Sequence, residues 1–276
     1  MRVAVLSSGG KDSCAAWWWA TCRGWEVSVL VTLVVEGDSP MFQVPNTRLV
    51  EAQASAAGIP WDHRVIDGSE GPDFEALEDM LLAYDLDGFV SGALRSDYQR
   101  NRLERLGEKM GLITWTPLWH QDPMEHLRGL ASHGFDVLVT SVSAEGLDEA
   151  WLGRILDHAT LDELEPLAEK YRFNVDGEGG EYETLVVRAP LFPEGLDLQW
   201  SKVWDGRRGH LIEILGRSES GQKQRWLTTR MRRESTTRSS RRLRWKAVGA
   251  RGQPRARRSR RSISARAPQE SSATAR

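Results

Sequence analysis

Apolar positions follow two rhythms along the chain. Up to about residue 118, short β-branched runs alternate with longer stretches of helix length. RVAVLSS (2–8) and EVSVLVTLV (26–34) are apolar at most positions, as strands buried on both faces of a parallel sheet must be. DSCAAWWWATC (12–22) lies between them at helix length. The pattern then predicts a helix over 46–57, a weaker strand over 62–67 (DHRVID), a helix over 73–84 and a strand over 87–93 (DGFVSGA). A helix over 97–110 and a strand over 113–118 (ITWTPL) complete the series. Strands and helices in strict alternation predict an α/β fold with a doubly wound, parallel, five-stranded sheet.

After Pro117 the rhythm changes. MEHLRGLASHG reads as a helix, FDVLVTSVS as a strand and TLDELEPLAEKY as a helix, while YETLVVRAPLF (182–192) is a strand stopped by prolines. These predict a smaller α/β domain over 120–217 behind a first domain over 1–119. HLIEILGR reads as one more strand whose natural continuation is missing, because Arg/Ser/Ala-rich text begins abruptly at 218. No internal repeat is present.

Charge sharpens that last boundary. Residues 218–276 hold 18 Lys and Arg against 3 Asp and Glu, and residues 1–217 hold 19 against 36. The acidic body offers no basic face for nucleic acid. The tail, with almost no apolar periodicity, is expected to be disordered. A frameshifted reading of GC-rich coding sequence explains such text better than an RNA-binding extension does. No apolar run reaches 18 residues, which excludes a spanning helix. The N-terminus is already a strand pattern rather than a secretory leader, and Cys14 and Cys22 suit a reducing compartment, so a cytoplasmic protein is expected.

The candidate chemistry begins at the first strand-to-helix turn, SGGKDS (8–13). A glycine-rich turn there presents backbone N–H groups and a positive helix end to an anion. It is not a Walker A loop, because Val5 stands where the first glycine would be and Asp12 follows Lys11. The string instead resembles the PP-loop of the ATP pyrophosphatases, which cleave ATP between the α and β phosphates. Backbone N–H groups of Gly9 and Gly10, with the hydroxyls of Ser8 and Ser13 beside Ser7, are expected to wrap the departing pyrophosphate, and Lys11 to add a point charge. Asp12 beside phosphate calls for an intervening cation, which assigns it to Mg²⁺. With the sheet order 3-2-1-4-5, usual for PP-loop folds, SGALRSDYQR (91–100) would flank the same crevice. Ser91 and Gly92 are then expected on the nucleotide, and Ser96, Asp97, Tyr98 and Gln99 on the substrate.

GEGGEYET (177–184) places Glu178, Glu181 and Glu183 around glycines, where they repel one another unless a cationic or metal-bound partner intervenes. These three are read as catalytic beside Lys11 and Asp12, with Gly179, Gly180, Tyr182 and Thr184 on the substrate. SGGKDS, MFQVPN (41–46), SGALRSDYQR, TPLW, AEGLDEAWLG and GEGGEYETLVVRAPLF, in this order from Met1 to about Leu215, resemble the diphthine–ammonia ligase family. The resemblance implies a HUP-like PP-loop domain followed by a distinct C-terminal domain carrying the Gly-Glu-Gly-Gly-Glu motif. It also implies a reaction: the carboxylate of diphthine, a modified histidine of elongation factor 2, is amidated with ATP and ammonium, releasing AMP and pyrophosphate.

The residues accord with that reading by their absences. PP-loop enzymes that thiolate tRNA use reactive cysteines, whereas Cys14 and Cys22 are expected to be packed in an apolar helix. Glutamine users often carry Cys at position 2 and an amidase; this chain has Arg2. Tyr98, Trp115, Trp119 and Tyr182 are candidates to face the quaternary ammonium of diphthine. All six histidines, His126 among them, are expected to be structural. The rival readings are a PP-loop ligase or tRNA-modifying enzyme with another substrate, and a nucleotide-binding module without catalysis.

Overall fold

The computed structural model describes residues 1–35, 49–66 and 72–214. MFQVPN, the start of the helix expected over 46–57 and the basic tail lie outside the described residues. The first half runs β1 (Arg2–Leu6), α1 (Lys11–Cys22), β2 (Glu26–Val35), α2 (Val50–Ala57), β3 (Trp61–Ile66), α3 (Pro72–Leu82), β4 (Gly88–Val90), α4 (Asp97–Met110) and β5 (Ile113–Trp115). Its strands form one sheet in the order β3-β2-β1-β4-β5, with every pair parallel.

Side chains of the central strands alternate between two dry faces, which is why these strands read as unbroken apolar runs. Val3 and Val5 pack with Trp17 of α1 and Val50 of α2. Ala4, Val29 and Phe89 pack with Leu77 and Met80 of α3 and Leu103 of α4 on the opposite face. α1 and α4 therefore leave neighbouring strands toward opposite faces, and the loops that start them part at the carboxyl ends of β1 and β4. β1 and β4 end earlier than their apolar runs, because residues 7–8 and 91–93 leave the sheet to line that gap, and β5 stops at Trp115.

The second half adds α5 (Pro123–Ser132), β6 (Asp136–Val142), a 3-10 turn (Glu149–Trp151), α6 (His158–Tyr171), β7 (Tyr182–Arg188), β8 (Gln199–Trp204) and β9 (Gly209–Ile214). Its four strands form an antiparallel sheet in the order β7-β6-β9-β8. β8 escapes the sequence reading because none of its positions is buried, so no inside–outside alternation marks it. It pairs with β9 along six positions, from Gln199 opposite Ile214 to Trp204 opposite Gly209.

The two sheets share a core. Phe135, Val137, Leu138, Val186 and Phe192 join the cluster that holds Val5 and Trp17. α1 is apolar on nearly every side because it lies between them. Trp17 meets Phe192 at 6.0 Å, Trp18 meets Phe135 at 5.6 Å, and Trp19 meets Trp25 at 5.1 Å. Met1–Gln222 is one compact unit. Among the described residues no helix is long and apolar enough to cross a membrane.

Candidate active site

Where the β1 and β4 loops part, a cavity of about 440 Å³ opens, within the size range of small-molecule sites. Ser7, Ser8, Lys11, Asp12 and Ser13 line it from the SGGKDS side. Ser91, Gly92 and Gln99 line it from the SGALRSDYQR side. Glu178, Gly179, Gly180, Tyr182, Glu183 and Thr184 close it from the second half. Leu6, Val31, Leu33, Leu77 and Leu103 form an apolar wall at the ends of β1 and β2 and beside α3 and α4. Three strings far apart in sequence thus share one cavity, with charge on one side and aliphatic surface on the other.

The SGGKDS turn is held by short local bonds. Ser8 N–H donates to Ser13 Oγ at 3.3 Å, and Ser13 Oγ donates to Gly10 O at 3.1 Å. Gly10 is the N-cap of α1 and has no side chain to cap it, so first-turn donors beyond the Lys11 N–H, which meets Thr184, are left for an anion. Gly9 has a φ of +80°, which favours glycine. A Cβ at Gly9 would also lie 3.2 Å from Gln53 and Val50 and 3.3 Å from Leu185. Gly9 and Gly10 are buried beneath the cavity rather than lining it. The N–H of Gly9 points back to Ser7 Oγ at 3.3 Å.

Much of what holds this turn comes from the second half. Gly9 O accepts from Val186 N–H at 2.9 Å. The Gln53 amide, fully buried, donates to Gly9 O at 3.0 Å and to Val186 O at 2.7 Å. Lys11 N–H donates to Thr184 Oγ1 at 3.2 Å. A Cβ on Gly92 would come within 2.6 Å of the Asp12 carbonyl, so only a glycine lets the β4 loop lie against the start of α1.

Charge inside the cavity is arranged around Lys11. Its side chain is 6% exposed, and its Nζ lies 2.9 Å from Asp12 Oδ2. Burial pulls the Lys11 ammonium toward neutrality, but Asp12, with Asp176 and Glu183, holds it above the usual lysine value. Burial would likewise raise Asp12, yet Lys11 and then His126 keep its carboxyl below the usual range, so it stays anionic. His126 Nε2 lies 3.0 Å from Asp12 Oδ1. Glu178 is pushed up by loss of hydration and then by the charge of Asp12. Tyr182 is raised well above its ordinary value by burial, and its hydroxyl donates to Val175 O at 2.6 Å.

Glu181 is held differently from Glu178 and Glu183. It does not line the cavity. Its carboxylate accepts from Asn174 N–H and Nδ2 at 2.9 Å each and from Gly179 N–H at 2.7 Å. Mutual repulsion among the three glutamates is relieved by turning one of them back onto its own loop. Asp176, 1% exposed at its side chain, is ion-paired with Arg95 and so ties this loop to the β4 loop.

Several other residues of the same strings stand outside the cavity lining. Ser96 is the N-cap of α4, accepting from Gln99 N–H at 3.3 Å, and Asp97 lies in the first turn. Neither lines the cavity, nor does Tyr98, whose ring lies under the Arg102 guanidinium at 4.2 Å. Trp115 packs on Trp25 at 4.6 Å, and Trp119 carries Arg100 at 4.7 Å. Of these four aromatics Tyr182 lines the cavity, with Lys11 5.7 Å above its ring. Cys14 is buried, with its thiol pushed up to about 12 by that burial, whereas Cys22 is exposed and not packed as expected. His126, Asp176, Arg95 and Gln53 are site or support residues that the sequence did not single out. Their partners lie tens of residues away, beyond the reach of any local spacing.

A parallel 3-2-1-4-5 sheet with SGGKDS at the end of its central strand is the PP-loop class of ATP-binding fold. The family models for the diphthamide synthase N-terminal domain and C-terminal domain match residues 1–114 and 122–219. A diphthine–ammonia ligase of Homo sapiens is 33% identical over 231 residues, covering 74% of this chain and 85% of its own. One of Schizosaccharomyces pombe is 30% identical over 235 residues, covering 78% of this chain and 39% of its own. A solved chain described as a predicted subunit of tRNA methyltransferase, from Methanocaldococcus jannaschii, covers 69% of this chain at 19% identity with a TM-score of 0.37. The chain belongs to the diphthine–ammonia ligase family.

Proposed function

We propose that this protein amidates the carboxylate of diphthine on elongation factor 2, using ATP and ammonium and releasing AMP and pyrophosphate. The observation that carries the proposal is the single cavity shared by the SGGKDS turn and the acidic GEGGEYET loop. In this reading the adenine lies on the aliphatic wall. The β and γ phosphates lie on residues 8–13, beside Ser91 and Gly92, with the α phosphate facing the acidic loop. The substrate carboxylate attacks the α phosphorus, the bond to the bridging oxygen breaks, and pyrophosphate leaves. Lys11 and the first-turn N–H groups of α1 stabilise the charge that grows on that oxygen.

Ammonium must lose a proton before it can attack the acyl-adenylate. Glu178 faces the cavity with its carboxyl raised, which makes it a better proton acceptor than an ordinary glutamate. Glu183 holds the cation nearby. Ammonia then attacks the acyl carbon, and AMP leaves with the electron pair of the broken C–O bond. Gln99, Gly179, Gly180, Tyr182 and Thr184 bound the space left for the modified histidine.

Among the described residues no group of three or more His, Cys, Asp and Glu could hold a metal ion by itself. Asp12 offers one anionic carboxylate at the cavity, which fits magnesium carried in by the nucleotide. Bound there, magnesium would neutralise phosphate charge. In this reading the protein works in the cytoplasm, beside the translation machinery that carries its substrate. The test is product analysis with diphthine-bearing elongation factor 2, with and without ammonium. AMP, pyrophosphate and an ammonium-dependent amide are expected; ADP and phosphate would overturn the mechanism.

A further inference from the structure

The geometry points to His126 as a positioning residue for pyrophosphate release: its imidazole, on a helix of the second half, fixes the plane of the Asp12 carboxylate at the mouth of the phosphate turn. This rests on the adenylation reading above and adds to it a residue that the SGGKDS string does not contain.

His126 stands on the inner face of α5. Asp122 caps that helix, accepting from Glu125 N–H at 2.9 Å, and Pro123 follows at the helix start. Leu127 and Leu130, on the same face, enter the apolar core. His126 is the buried polar member of that face, 6% exposed at its side chain, and it reaches Asp12 across 114 positions of sequence. An ionised carboxylate only accepts hydrogen bonds, so the Nε2 proton of His126 is the one donated.

Asp12 needs such a partner. Rotation of a carboxylate about its last torsion is broad and weakly preferred, so its plane is set from outside. Lys11 cannot set it alone, because its ammonium is a point charge with three freely rotating protons on a flexible stem. A ring held by a core helix fixes direction as well as distance. With Lys11 on Oδ2 and His126 on Oδ1, each oxygen keeps lone-pair capacity and the remaining acceptor directions are fixed. Outer partners that orient a functional carboxylate in this way are typically worth about 10- to 100-fold in activity.

The experiment compares the full-length chain with His126→Leu and His126→Gln, the glutamine amide standing in for the Nε2 donor. Turnover, the KM for ATP, the melting temperature and its rise with MgATP are measured for each. The leucine variant is expected to lose about 10- to 100-fold in kcat, with KM and the MgATP-induced rise little changed, and glutamine to restore most of the loss. Should leucine not fold, His126→Asn, whose amide stops short of Asp12, replaces it. Equal losses in the two variants, a loss confined to KM, or an unchanged kcat would overturn the role of His126 while a working wild type leaves the adenylation reading intact. ADP and phosphate from the wild type would overturn that reading and this inference together.

Discussion

The SGGKDS and GEGGEYET loops face one cavity, and both need glycine, yet they handle charge differently. In the first, Lys11 and Asp12 compensate each other within one helical turn, and His126 steadies the pair. In the second, one of the three glutamates folds back onto Asn174 and Gly179, leaving Glu178 and Glu183 at the cavity within reach of the Lys11 charge. The first loop is balanced in itself. The second carries three carboxylates and no basic residue within its own eight letters.

Removing the balanced pair should break the comparison most severely. Asp12→Ala is expected to slow AMP and pyrophosphate release by roughly 10²–10³-fold, while circular dichroism still shows a folded chain. Retained turnover would mean that Lys11 and the helix end suffice.

The two glutamates should then part in opposite directions. Glu181→Gln puts an amide N–H₂ group against a loop N–H and should cost about 1–3 kcal/mol, read as faster hydrogen exchange across 174–181. Glu178→Gln should instead stabilise the protein. Its carboxyl is raised in the folded state from the ordinary 4.5, so the unfolded chain loses that proton first and stability falls as pH rises through and above 4.5. The gain from glutamine should therefore grow with pH over that window and vanish below it, while amide formation at neutral pH declines. Urea melts of both variants across pH 4–7.5 separate them.

Smaller effects test the glycines. Gly92→Ala must push the β4 loop off the start of α1, because its Cβ would lie 2.6 Å from Asp12; overpacking of this kind costs about 1–3 kcal/mol. Gly180→Ala meets open space and carries only the strain of a φ of +80°, about 1 kcal/mol. Equal melting temperatures for the two would show that the β4 loop yields easily.

The parallel sheet was legible in the sequence because both its faces are buried, so that β1 and β2 carry no polar alternation to confuse them. SGGKDS was legible because its chemistry is local: six adjacent residues form a turn, a charge and a helix start. β8 was not, since an edge strand with no buried position looks like loop. Nor was the division of labour within GEGGEYET, because Glu181 is distinguished from Glu178 only by the Asn174 groups that it meets. The partners of the aromatics were hidden for a related reason. Tyr98 and Trp119 stand beside the right strings, but arginines of α4 cover their faces.

The carbonyl of Gly9, shared between Gln53 and Val186, has a consequence for modularity. The six letters of the ATP motif are contiguous, but the mould that shapes them is not. A fragment ending near residue 119 would contain every motif residue of the phosphate turn and lack the strand that braces it. Transplanting the motif onto another parallel sheet would carry the letters without the brace. The SGGKDS turn and the strand that continues GEGGEYET are in that sense one part, joined at the Gly9 carbonyl and the Lys11 N–H.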